Sequence, residues 1–230
     1  MTRATIVEHP KCGRTFLHCL LDKVNVHVRK THAGSAAIGR HLACNQIDRL
    51  DPDIILDRSN RENVIFLCRN PLDVMVSFYY QVKYRIRWRQ RRRDLVIVQD
   101  ACTSIDSFVR SEFGIEYLCR FYQQWDNIDC VFYVKFEDLV HDTDKEFRRI
   151  LRYLSVKVSD KDIRSTIMYN TFDKLQKREL KRRGKRNINT LKFRKGKVDG
   201  WQDSIKDETL NFCRDVIHKY PSSLSDAYML

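Results

Sequence analysis

Thr5-Ile6-Val7-Glu8-His9-Pro10-Lys11-Cys12-Gly13-Arg14-Thr15-Phe16-Leu17 reads as a strand, a tight loop and the first turn of a helix. Ile6 and Val7 are β-branched and apolar, as a buried strand prefers. Pro10 has no N–H for a ladder and ends the strand. Gly13 permits backbone angles that strain other residues. From Thr15 onward Phe16, Leu17, Leu20 and Leu21 recur at helical spacing. Such a loop aims backbone N–H groups and a helix N-terminus at one point, which attracts anions, phosphate above all. Lys11 adds a cation there.

The remaining chain repeats this alternation. Val24 to Val28 reads as a second strand ending in Lys30-Thr31-His32-Ala33-Gly34, and Ser35 is placed to cap a helix to about Leu50. Asp51-Pro52-Asp53 reads as a turn. Asn63 to Cys68 is an apolar run typical of a strand buried on both faces, leading into Arg69-Asn70-Pro71 and a helix through Tyr79. Helical patterns follow from Ser104 and from Tyr117 to Trp125. Cys130 to Val134 is a further strand, followed by Lys135 to Leu139 as its exit loop. Helices are expected over 144–154, 160–169, 172–183 and 206–220, with a long loop over 184–197 and a tail from Pro221. Strands alternating with helices predict an α/β fold, a three-layer α/β/α sandwich with a central parallel sheet of the P-loop nucleotide-kinase type. Ligands bind beyond the carboxyl ends of such strands, so the loops at 10–15, 30–34, 69–71 and 135–139 should meet along one rim.

Composition narrows the function classes. At 230 residues and 43% hydrophobic content, the chain is expected to form one domain, 1–230, with a sizeable core. No run is apolar enough to span a bilayer, and the start shows no signal-peptide pattern, which leads to the expectation of a cytoplasmic protein without a membrane partner. The eight cysteines are scattered without metal spacing and read as reduced thiols. The net charge of +13 sits in two places. Lys83 to Arg93 and Lys181 to Lys197 hold 16 of the 43 basic residues and no acid, so elsewhere 27 basic residues face 30 acidic ones. These segments are expected to be loops or lids, and either solvated faces or anion-binding surfaces.

Arg69 at a strand end and Ser77 about two turns into the next helix share an azimuth. A guanidinium fork and a hydroxyl can hold one phosphate. Phe193-Arg194-Lys195-Gly196 is a second basic tip able to close on it. With the first loop holding another phosphate, the set suits a nucleotide carrying two separated phosphates.

These residues resemble the motifs of sulfotransferases that use 3′-phosphoadenosine 5′-phosphosulfate (PAPS), most of all the cytosolic type. The family's Pro-Lys-Ser-Gly-Thr-Thr-Trp-Leu corresponds to Pro10 through Leu17, and its Arg-Asn-Pro-Lys-Asp-Val-Ala-Val-Ser-Tyr-Tyr to Arg69 through Tyr79. Lys30-Thr31-His32, Phe136-Glu137-Asp138-Leu139, Asn170 to Asp173 and Arg194 to Trp201 match further family stretches in order. The resemblance implies that Lys11 serves the leaving oxygen and that the N–H groups of Cys12, Gly13, Arg14 and Thr15 hold the 5′-phosphate. It implies Arg69, Ser77, Arg194, Lys195 and Gly196 at the 3′-phosphate, with Lys11, His32 and Ser77 as the catalytic set. It further implies Phe16 and Phe172 around adenine, Phe136 near its edge, and His32 as proton acceptor. No metal is implied. Cys12 replaces serine and puts a thiol at a helix N-terminus, where its pKa is expected to fall. Arg14 replaces threonine and either contacts phosphate or points to solvent.

The implied reaction moves a sulfuryl group from PAPS to a hydroxyl or amine, leaving adenosine 3′,5′-bisphosphate (PAP). The implied acceptor is a small molecule or a glycan, and no stable nucleic-acid partner is expected. A P-loop-like nucleotide or small-molecule kinase would need a complete Walker loop and a metal-holding acid at a strand end. The first glycine of that loop is missing, and Arg69 stands where an acid would. A basic nucleic-acid-binding module would explain the charge but not the Arg69–Ser77 spacing.

Overall fold

The computed structural model describes residues 2–30, 51–60, 63–85, 102–183, 187–226 and 228. Four strands form one parallel sheet: β1 (Arg3–Val7), β2 (His27–Lys30), β3 (Val64–Cys68) and β4 (Val131–Lys135), in the order β2-β1-β3-β4. Thr5 pairs with Val64 and Val7 with Phe66 across the centre, and Cys68 pairs with Lys135 on the far side. Every residue of β3 is buried, which explains its unbroken apolar run.

The β1–α1–β2 connection moves outward on one side of β1, whereas β3 to β4 moves the other way. Right-handed crossovers therefore put their helices on opposite faces. The strand order reverses between β1 and β3, and the crevice of a doubly wound sheet opens beyond the ends of that pair. Helix α1 (Arg14–Lys23) buries Leu17, Leu20 and Leu21. Further helices are α2 (Pro52–Arg58), α3 (Pro71–Arg85), α4 (Ile105–Arg110), α5 (Ile115–Gln124), α6 (Phe136–His141), α7 (Thr143–Tyr153), α8 (Asp160–Tyr169), α9 (Phe172–Arg183), α10 (Asp207–Lys219) and α11 (Ser223–Asp226).

Local chemistry accounts for the departures from expectation. Asp51-Pro52-Asp53 opens α2 rather than a turn. The Asp51 carboxylate accepts the Asp53 N–H at 2.8 Å, and Pro52 takes the first helical position, where its missing donor costs nothing. The expected exit loop at Phe136 is the start of α6, with Glu137 and Asp138 in its first turn facing the positive end of the dipole. The tail contains α11, tied down by Ser223, whose N–H donates to Asp126 at 2.8 Å. The basic segments are partly helical: 83–85 finish α3 and 181–183 finish α9, and a short 3-10 turn covers Ile188–Thr190. The helix expected over 35–50, with His32, and the stretches 86–93 and 184–186 lie outside the described residues. The seven described cysteines are free thiols. No described helix is long and apolar enough to cross a membrane.

Candidate active site

Beyond the carboxyl ends of β1, β3 and β4 lies a cavity of about 630 Å³. Its walls come from the first loop, from α3, from Phe136 at the start of α6, from the α8–α9 junction and from the 192–200 segment. It gathers Lys11, Gly13, Arg14, Thr15, Phe16, Arg69, Ser77, Phe136, Phe172, Arg194, Lys195 and Gly196. Of the described site residues expected from sequence, only Cys12 is missing from this lining. Eight cationic side chains line it against two acids, Glu8 and Asp73. An excess of that size calls for a polyanion.

The first loop is wound tightly. Lys11 has φ 86° and Gly13 has φ 106°. The left-handed region is natural for glycine but rare for lysine, and such strain collects at ligand-binding loops. A Cβ on Gly13 would run into the Phe136 ring, so glycine also allows close approach of α6. Burial, then the charges of Arg85 and Arg69, lower the Lys11 pKa to about 7.

Two expectations for this loop change. The Cys12 N–H, expected on a phosphate, donates to the His9 carbonyl at 3.3 Å. Its side chain is fully buried, and burial raises the thiol pKa well above its ordinary value instead of lowering it. Arg14 turns to Glu8: the carboxylate of Glu8 accepts the Arg14 backbone N–H at 3.0 Å and lies 3.4 Å from its Nε. Glu8 is 3% exposed, and burial raises its pKa to about 7 against the lowering effect of Arg14. A protein carboxylate therefore already sits on one donor of the anion cradle.

The second loop is built around Arg69. The Asn70 side chain caps α3 by accepting the Leu72 N–H at 2.9 Å, and Pro71 follows at the first helical position. The Arg69 guanidinium donates to the Lys11 carbonyl at 3.3 Å and the Lys197 carbonyl at 3.2 Å, and lies 3.3 Å from Asp73. It also lies 4.6 Å from the centre of the Phe136 ring, a cation–π distance. Phe136 thus wedges between Gly13 and Arg69, beneath both loops. Ser77 is half-buried on the cavity side of α3.

The basic tip is held by groups far away in sequence. Asp73 accepts the N–H of Asp199 at 3.0 Å and of Trp201 at 2.9 Å. From α9, Glu179 accepts the N–H of Lys192 at 2.8 Å and of Phe193 at 3.1 Å, while Gln176 donates to the Phe193 carbonyl at 2.7 Å. Gly196 has φ 61° and lies against Phe172, where any Cβ would strike the ring. Arg194 stacks 3.8 Å over Tyr80 on α3. Lys195 pairs with Asp203 at 2.7 Å.

Sequence reasoning missed the residues that hold the ligands' backbones: Glu8, Tyr122, Glu137, Gln176 and Glu179. Glu137 accepts the Asn70 N–H at 2.9 Å and the Tyr228 hydroxyl at 2.7 Å. A signal existed only for Glu137, which falls within a quoted motif. Among the described residues no cluster of His, Cys, Asp and Glu could hold a metal ion.

A family model described as "Sulfotransferase domain" matches residues 2–225. Cytosolic sulfotransferase 12 of Arabidopsis thaliana is 27% identical over 157 residues, which cover 65% of this chain and 47% of that protein. Cytosolic sulfotransferase 15 of the same plant is 24% identical over 151 residues, covering 60% and 40%. The chain thus spans about half the length of the curated relatives it matches. A solved mouse sulfotransferase complexed with PAP aligns over 99% of this chain and 86% of its own, with TM-score 0.67 and 13% identity. A retinol dehydratase in complex with androsterone and PAP aligns over 95% and 80%, with TM-score 0.58 and 14% identity. At those identities the two structures establish the α/β fold. With the family match running from residue 2 to residue 225, the chain belongs to the sulfotransferase domain family.

Proposed function

We propose that this chain is a PAPS-dependent sulfotransferase, in which one domain carries the whole donor site. The observation that carries the proposal is the single cavity in which two cation-bearing loops meet at the switch point of the sheet. The first loop, with Lys11, Thr15 and the backbone of Gly13, takes the 5′-phosphosulfate end. Arg69, Ser77, Arg194 and Lys195 take the 3′-phosphate, and Phe16 and Phe172 line the space left for adenine. PAPS supplies the activated sulfuryl group, and PAP leaves. Lys11 holds the oxygen on which charge develops, and the loops fix the line of transfer. The family's histidine is placed on His32 as the group that takes the acceptor's proton. The charge of Arg85 and Lys192 in the cavity wall favours an acceptor, small molecule or glycan, that carries an anion. The relatives' designation as cytosolic supports a cytoplasmic location.

PAP is expected to raise the melting temperature without magnesium, since a ligand that binds only the folded state stabilises it in proportion to the logarithm of its concentration. Differential scanning fluorimetry with PAP, and with ATP plus magnesium, checks this. Stabilisation by ATP and magnesium alone would sink the proposal.

Affinity for PAP is expected to fall as pH rises through about 7. Below that pH Lys11 is a cation and Glu8 is neutral; above it Lys11 loses its charge and Glu8 gains one. Both changes oppose a phosphate, so binding takes up protons and the dissociation constant rises by up to about tenfold per pH unit for each linked proton. Calorimetry in buffers of different ionisation enthalpy measures the uptake, and Glu8→Gln should remove its share. Affinity that rises between pH 7 and 8 would contradict these assignments.

A further inference from the structure

The side chain of Tyr122, on α5, meets Arg69 and Cys12 of the two loops without lining the cavity. It has no exposed surface. Its hydroxyl donates to the Arg69 carbonyl at 2.8 Å, accepts the Arg69 N–H at 3.0 Å and lies 3.4 Å from the Cys12 Sγ. A phenol has one proton to give and two acceptor positions. Arg69 uses the proton and one acceptor position, so the Cys12 thiol donates to the other. That bond requires the protonated thiol, the form that its burial favours.

The two partners belong to different loops. Cys12 is in the turn after β1, and Arg69 is the residue after β3. The ring itself is fixed from the sides: it meets Phe66 of β3 edge-on at 6.0 Å and Phe121 at 6.2 Å. A buried hydroxyl on a clamped ring cannot follow one loop without dragging the other, because any bond broken here leaves a polar group without water. The same Arg69 reaches back to the Lys11 carbonyl, so the loops are joined at two levels, one inside the core and one at the cavity wall.

We propose that the Tyr122 hydroxyl is a positioning group that sets the spacing between the 5′- and 3′-phosphate loops, so that a nucleotide with both phosphates is bound better than its halves predict. This rests on the two-phosphate reading above. Tyr122 touches no ligand; it acts through Cys12 and Arg69.

The test compares PAP with adenosine 5′-phosphate, which lacks the 3′-phosphate, by equilibrium binding to the full chain. The readout is the ratio of the two affinities. In Tyr122→Phe that ratio should shrink by about tenfold, the worth of a buried hydrogen bond, while adenosine 5′-phosphate binding changes little. A residue that merely supports the fold would lower the melting temperature and leave the ratio alone. Cys12→Ala cuts the same link from the other side and keeps the phenol in place, so it decides the matter if Tyr122→Phe does not fold. The ratio should fall there too and be restored by Cys12→Ser, which again offers a donor. A wild-type preference for PAP that survives in every folded variant overturns this proposal alone. A wild-type protein that binds both nucleotides equally overturns the two-phosphate reading, and this inference with it.

Discussion

Lys11→Ala is expected to lower kcat by about 10²–10³-fold, the usual cost of one group that stabilises developing charge in a closed site. PAP affinity should fall by only about tenfold, the loss that neutralising the same ammonium causes over one pH unit above 7. Lys11 is half-buried and its backbone is locked in the left-handed region, with its carbonyl held by Arg69. Its backbone is therefore set before the donor arrives. Burial, then the charges of Arg85 and Arg69, disfavours its charged form and lowers its pKa to about 7. A cation in that condition gains most where negative charge grows most, at the leaving oxygen during transfer. An interaction that strengthens only in the transition state lowers kcat and kcat/KM together. Steady-state kinetics and calorimetric PAP binding on the same variant separate the two effects. An equal loss in both would make Lys11 a simple phosphate ligand. Because its charge is disfavoured in the folded state, removing it should not lower the melting temperature.

The second large effect concerns Arg69→Ala, which should weaken PAP binding by about 10²-fold or more and also destabilise the fold by about 3 kcal/mol. The affinity loss follows from removing the guanidinium at the second phosphate. The stability loss follows from Asp73, which is 3% exposed and is raised in pKa by burial although Arg69 opposes it. Without Arg69 the carboxylate keeps, among the described residues, the N–H groups of Asp199 and Trp201. Asp73→Asn in the same chain should recover much of the stability by removing the uncompensated charge, and none of the affinity. Chemical denaturation and PAP titration of the single and double variants decide this. Recovery of affinity in the double variant would show that Arg69 acts on the fold rather than on the phosphate.

What was legible in the sequence follows the range of the forces involved. The strand-loop-helix units at Thr5–Leu17 and Val64–Tyr79 are written in local chemistry: β-branched runs, a proline at a strand end, an Asn-Pro cap. Placing them in a parallel sheet was enough to bring Lys11, Arg69 and Ser77 to one rim. Cys12 was misjudged because a helix N-terminus acts on a thiol only if the thiol faces it. Here the side chain turns inward to Tyr122, 110 residues away, and burial dominates. Nothing local in the sequence marks Glu8. Its meaning comes from Arg14, whose N–H and guanidinium it meets only once the loop is folded. The supports from Glu179 and Gln176 stayed invisible for the same reason. They act on backbone N–H and C=O groups, which carry no sequence signature.

Asp73 also sets a schedule. Its two backbone partners lie 126 and 128 residues further along the chain. All four strands have been made once residue 135 has left the ribosome, yet the wall that carries Arg194 and Lys195 follows some sixty residues later. A nascent chain can thus complete its sheet and first loop well before it has a nucleotide cavity. Capture of PAP by stalled chains would report the moment at which residues 194–201 latch onto α3.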